Sequence, residues 1–213
     1  MGKVKEALKK HLVDSTAMIV AAHPIAAPYE KFMAGMTNAV AIKSRLVVTG
    51  IGYLGMASVF TKGRDLSRKY FNITDESRAG VQALHDIGYN MAFNAVAMPP
   101  IYYVSGARDW KEVAIGTGMT VGLSFFSGWV IGYTVDLYRD LLGIEESKRI
   151  PEVIRRQPAR IKKGLAGLVT AASLGLLVGI YSLPSYNGGE VIKDKAVETY
   201  ERAVEGLEHI TGF

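Results

Sequence analysis

Residues 113–135, 164–184 and 87–107 of this chain contain no Asp, Glu, Lys or Arg. An α-helix rises about 1.5 Å per residue, so roughly twenty such residues cover the roughly 30 Å hydrocarbon core of a bilayer. A helix buried in a soluble bundle keeps a polar face, whereas VAIGTGMTVGLSFFSGWVIGYTV offers none beyond Ser, Thr and Gly. Two weaker stretches complete the set. Residues 15–29 are interrupted by His23, Pro24 and Pro28, and residues 46–61 are short for a full span. The expected fold class is all-α, a polytopic membrane protein of five transmembrane helices. The modest mean hydropathy of +0.15 hides this, because charge is crowded into blocks between the spans.

Five crossings put the termini on opposite sides. With the N-terminus in the cytoplasm, the cytoplasmic pieces 1–13, 62–80 and 139–163 hold seventeen of the 25 Lys and Arg, as the positive-inside rule requires. The densest block, YRDLLGIEESKRIPEVIRRQPARIKKG, is broken by Pro151 and Pro158. It reads as a short interfacial helix and a linker with basic heads near anionic lipid. The chain therefore divides into a four-helix unit (1–142), a basic cytoplasmic linker (143–163), a fifth transmembrane helix (164–184) and an acidic outer tail (185–213). In the tail, Ile192, Val197, Tyr200, Val204 and Leu207 recur at helical spacing, which predicts a docked amphipathic helix. The isoelectric point of 9.3 follows from this topology and calls for no nucleic-acid partner. The expected location is the cytoplasmic membrane, with several crossings.

Several chemistries are excluded. There is no cysteine, hence no disulfide scaffold, thiol nucleophile or Cys-based zinc site. His11, His23, His85 and His209 are scattered without metal-ligand spacing, so no metal and no other cofactor is expected. No nucleophile–base pair or phosphate loop points to an enzyme.

What remains is charge inside the spans. An ionisable side chain in hydrocarbon costs a few kcal/mol or more, so it faces protein or water. Asp14, Glu30, Asp86 and Asp136 are the candidates, with Arg45, Arg64 and Arg139 as cations near span ends. Arg64, Asp65, Arg139 and Asp140 are expected at headgroup level, pairing locally. Asp86 is followed by Asn90 and Asn94 at i+4 and i+8, one polar stripe suited to line a cavity. Pro24, Pro28, Pro99 and Pro100 free backbone carbonyls within the odd-numbered spans.

The chain also rhymes with itself. Asp14 opens the first span and Asp86 the third, with Pro28 and Pro100 equally far beyond. GRDL at 63–66 ends the second span and YRDL at 138–141 ends the fourth. The two hairpins read as parallel repeats about an axis along the membrane normal, an arrangement that sets small-solute sites between repeats. On the fourth helix, Gly128, Gly132 and Asp136 form one i, i+4, i+8 row. Small residues four apart let helices approach closely in lipid. The row reads as a contact face for another helix of the same chain or for a second subunit. Asp136 is expected near Arg139 or a cation across that contact.

The segments VDSTAM (13–18), Glu30, GM (35–36), SRLV (44–47), RDL (64–66), ARDW (107–110) and SGWVIGYTVDLYR (127–139) resemble the bacterial L-alanine exporter family over residues 11–142. The resemblance implies a four-span inner-membrane protein that exports L-alanine or similar small amino acids, driven by the proton gradient. It also implies self-association through the glycine motif, which makes a second subunit the preferred partner for that row. Its membrane carboxylates and arginine fall on Asp14, Glu30, Arg45, Asp86 and Asp136. The fifth span and tail depart from the pattern. In physical terms, a zwitterionic amino acid needs an anion for its ammonium, which Asp86 with Asn90 and Asn94 could supply. It needs a donor for its carboxylate, for which Arg45 or freed backbone amides are candidates. Asp14 or Asp136 is the expected proton-carrying partner. The expected partners are thus a small amino acid, protons, membrane lipid and further copies of the chain. A passive small-solute channel and a non-transporting scaffold are the alternatives.

Overall fold

The computed structural model describes residues 2–33, 38–104 and 110–184. Among these residues every regular element is helical and none is a strand. The acidic tail lies outside the described residues, as does most of ARDW.

Helix α1 (Gly2–Pro28) runs unbroken through Pro24. Pro24 has no N–H for the carbonyl of Val20, one helical turn before it. The hydroxyl of Ser173, on a distant helix, donates to that carbonyl at 2.9 Å instead. A π-helical turn (Tyr29–Met33) follows. Then come α2 (Asn38–Ile51), a second π-helical turn (Gly52–Met56) and α3 (Ala57–Tyr70). The bend between α2 and α3 is centred on Gly55, whose φ of 132° suits glycine alone. His11 secures this bend from α1, with Nε2 2.8 Å from the Tyr53 carbonyl and Nδ1 2.6 Å from Ser58 Oγ.

After a short turn, α4 (Ala79–Val104) and α5 (Trp110–Leu141) form the broadest helix–helix contact of the molecule. A four-residue α6 (Glu152–Arg155) leads into α7 (Ala159–Ser182), so the basic linker holds a short helix and the last apolar stretch a long one. Helix α1 is the hub. Its Val13, Ala17 and Val20 pack with Val135, Tyr138 and Leu141 of α5 and Ala166 of α7. Its Ala21 meets Phe60 of α3 and Ile131 of α5. Phe60 in turn sets its ring edge-on to Tyr89 and Phe93 of α4, with centroids 5.1 and 5.0 Å apart.

The distribution of polarity is the reverse of a soluble protein. Phe125, Phe126, Trp129, Leu168, Leu174 and Val178 are exposed, while Asp14, Arg64, Asp86, Asp136, Arg139 and Asp140 are buried. Among the described residues, three helical segments are long and apolar enough to cross a membrane: Ala41–Tyr70, Thr117–Leu141 and Ala159–Ser182. Helices α1 and α4, of 27 and 26 residues, have the length. Their polar rows lower the average, and those rows face the interior.

Candidate functional site

Two clusters of buried ion pairs tie together the helix ends that share one side of the bundle. In the first, Arg139 of α5 makes a two-pronged pair with Asp14 of α1, Nε to Oδ1 at 2.8 Å and Nη2 to Oδ2 at 2.9 Å. Thr61 of α3 donates to Asp14 Oδ2 at 2.8 Å. Arg139 Nη1 continues to Asp65 at 2.9 Å, and Asp65 reaches Lys10 at 3.5 Å in more open surroundings.

The second cluster is larger. Arg64 of α3 lies between two aspartates, donating to Asp86 of α4 at 2.8 and 3.1 Å and to Asp136 of α5 at 2.8 and 2.9 Å. Its Nη2 also meets the Gly132 carbonyl at 3.0 Å. Arg68, one turn further along α3, donates to Asp86 at 3.0 and 3.2 Å and to Asp136 at 3.4 Å. Arg149, from the segment after α5, completes the set at 2.6 Å from Asp86 and 3.0 Å from Asp136. Its guanidinium stands over the Tyr133 ring, 5.4 Å from the centroid. His85 lies beside Asp86 and shares a 2.9 Å hydrogen bond with Ser67.

The segment carrying Arg149 is itself pinned. Lys148 donates its backbone N–H to Asp75 at 3.0 Å and its ammonium to Glu76 at 2.6 Å. That ammonium holds the Glu76 carboxyl below the usual carboxylate range. Ile150 is buried, and Ser147 donates its N–H to Asp140.

Helical spacing explains why these side chains meet. Arg64 and Arg68 are i and i+4 on α3, so both point at the α4–α5 contact. Gly132 and Asp136 share a face of α5 in the same way. The glycine lets the Asp86 carboxylate approach that face, since a Cβ at Gly132 would overlap Asp86. A Cβ at Gly128 would stand 2.6 Å from Ile87 Cα. The row of small residues is therefore covered by α4 of the same chain, and the preference for a second subunit on it gives way to this packing. Further along, Asn90 donates to Ser127 at 3.3 Å and Asn94 to Ser124 at 2.7 Å. The polar stripe on α4 joins α4 to α5.

The expected site residues thus separate. Asp86, Asn90, Asn94 and Asp136 come together with Gly128 and Gly132 on the α4–α5 contact, and Asp14 forms the neighbouring cluster. Arg45 is half-buried on α2 and is not a partner of Asp86. The side chain of Glu30 lies outside the described residues. Arg64, Arg139 and Asp140 do not pair only locally: they are 1%, 4% and 2% exposed, and their short ion pairs run to other helices, Arg64 to Asp86 and Asp136, Arg139 to Asp14 and Asp140 to Lys162. Asp136 pairs with cations of α3 and the following segment, while Arg139 turns to α1. Arg68 and Arg149 are the residues that sequence reasoning missed. The i, i+4 spacing of Arg68 from Arg64 was an available signal; nothing in the sequence marks Arg149.

The model of the L-alanine exporter family matches residues 3–145. No curated protein and no solved structure matches the chain. The match contains both clusters except Arg149, together with every helix up to the end of α5, and covers well over half of the sequence. The chain belongs to the L-alanine exporter family.

Proposed function

We propose that this protein is a cytoplasmic-membrane transporter that exports L-alanine or similar small amino acids in exchange for protons. In this reading α1, the bent α2–α3 segment, α4, α5 and α7 are five crossings, with the N-terminus inside and the C-terminus outside. The family match supports the substrate class, and the apolar exterior supports the membrane setting. The observation that carries the mechanism is the ion-pair network itself, which joins α1, α3, α4 and α5 through buried aspartates.

A proton added to any of these aspartates removes the counterion of a buried guanidinium. An uncompensated buried charge costs several kcal/mol, so protonation weakens the tie between the helices it had joined. Substrate and proton can in this way act on the same bonds, the minimum that exchange requires. Ion pairs at one end of a bundle can hold that end shut until they are broken, and α4–α5 on one side and α1–α3 on the other are the bodies that would separate. Asp14, Asp86 and Asp136 are the proton-carrying candidates. Carbonyls freed by Pro28, Pro99 and Pro100, with Asn90 and Asn94, are candidates for the substrate ammonium.

Uptake of labelled L-alanine into inverted membrane vesicles tests the reading. Accumulation above the external concentration is expected when the lumen is made acidic, with collapse on adding a protonophore. Equilibration without accumulation would instead make the protein a passive channel. Asp86→Asn is expected to abolish coupled uptake while inserted protein is still recovered; normal uptake would return Asp86 to a purely structural role.

A further inference from the structure

We infer that the Asp86–Asp136 cluster is a carboxylate-binding site in which Arg68 and Arg149 supply the donors. This rests on the exporter reading and names the part of the substrate that the cluster takes.

Charge balance is the first argument. Arg64, Arg68 and Arg149 bring three positive charges to two carboxylates, and all five side chains are buried or nearly so, between 1% and 11% exposed. A surplus positive charge in these surroundings is costly, and an anion relieves it.

Hydrogen-bond capacity is the second. Asp86 accepts from Arg64 and Arg68 on Oδ1, and from Arg64, Arg68 and Arg149 on Oδ2. Asp136 accepts from Arg64 on both oxygens, and from Arg68 and Arg149 on Oδ2. Only Asp136 Oδ1, which accepts from Arg64 alone, keeps a free lone pair, so the pair has little acceptor capacity left for an ammonium. Donors, by contrast, remain. Arg68 Nε is buried and has no hydrogen-bond partner among the described residues, and Arg68 Nη1 makes only the long 3.4 Å bond. Of the guanidinium donors of Arg149, only Nη1 is engaged among the described residues. Planar guanidinium forks match a carboxylate, each able to give two parallel N–H bonds.

The first cluster serves as an internal comparison. There, Thr61 of GRDL's helix occupies the place that Asp136 holds in the helix of YRDL, three residues before the arginine. It carries no surplus positive charge: Arg139 and Lys10 stand against Asp14, Asp65 and Glu145. Only the second cluster has been expanded with extra cations, one of them from outside the family match. The expectation that Asp86 receives the substrate ammonium is thereby reversed. The cluster takes the other end of the zwitterion.

Thermal unfolding of the purified full chain in mild detergent, at constant ionic strength, tests this. Propionate carries only the carboxylate and L-alaninamide only the ammonium. L-alanine and propionate are expected to raise Tm by several degrees, whereas L-alaninamide and chloride leave it unchanged. Arg149→Gln and Arg68→Gln should remove most of the propionate shift, and Arg149→Lys should retain part of it. If a Gln variant does not fold, the Arg149→Lys and Arg68→Lys proteins must still show a reduced shift. A shift with L-alaninamide but not propionate overturns the proposal. So does an equal shift with chloride, or a propionate shift undiminished in the folded variants. Propionate binding by protein that moves no alanine in vesicles would leave the carboxylate site standing and remove the exporter reading.

Discussion

A single methyl group at position 132 would occupy space that the Asp86 carboxylate now fills. Gly132→Ala should therefore displace the side chain that Arg64, Arg68 and Arg149 all share. Overpacking a tight contact costs about 1–3 kcal/mol, and here the displaced group is a paired charge. Lower thermal stability in detergent and loss of export are expected together. Gly118→Ala is the matched control, since nothing stands within 4 Å of a Cβ there, and it should behave as the parent protein. At this scale the sequence was half legible. Asp14, Asp86 and Asp136 stand out because a carboxylate beside an apolar run has to be explained. Their partners did not, because Arg139 lies 125 residues from Asp14 and Arg64 lies 72 from Asp136. Proximity to a span end made the arginines look like headgroup anchors. Both are buried against aspartates of other helices.

Helix α7 lies beyond the family match, yet it is built into the bundle from end to end. Lys162 reaches the fully buried Asp140 at 2.7 Å. Tyr138 bonds to Thr170 at 2.7 Å, and Ser173 to the proline-freed Val20 carbonyl. At the far end Lys31, 1% exposed, donates to the Ile180, Tyr181 and Leu183 carbonyls at and just beyond the C-terminus of α7. Lys162→Met should leave Asp140 unpaired and lower stability by about 3–5 kcal/mol, read from reversible unfolding in detergent. Replacing both residues, as Asp140→Asn with Lys162→Met, should recover much of that loss. Periodicity showed α7 and the small-residue face of α5 plainly, because both are properties of one helix. Which helix covers that face is a property of two, and α4 took the place expected for a second subunit.

For the whole molecule, single cysteines introduced into the cysteine-free chain at Ser77 and Leu183 should react with an impermeant thiol reagent from opposite sides of the membrane. Reaction from one side would require an even number of crossings. A further consequence follows from how the two hairpins share their charges. The Arg64 of GRDL pairs with Asp86 and Asp136 of the second hairpin, and the Arg139 of YRDL pairs with Asp14 and Asp65 of the first. Each hairpin holds the other's counterions, so in either one alone these charges lose the partners they have in the bundle. Residues 1–78 and 79–213, produced as separate polypeptides in one cell, should find each other and co-purify, whereas either fragment made singly should be cleared by proteolysis. Exchange of Arg64 and Asp86 between the fragments, as Arg64→Asp with Asp86→Arg, would ask whether that mutual recognition is written in the charges alone.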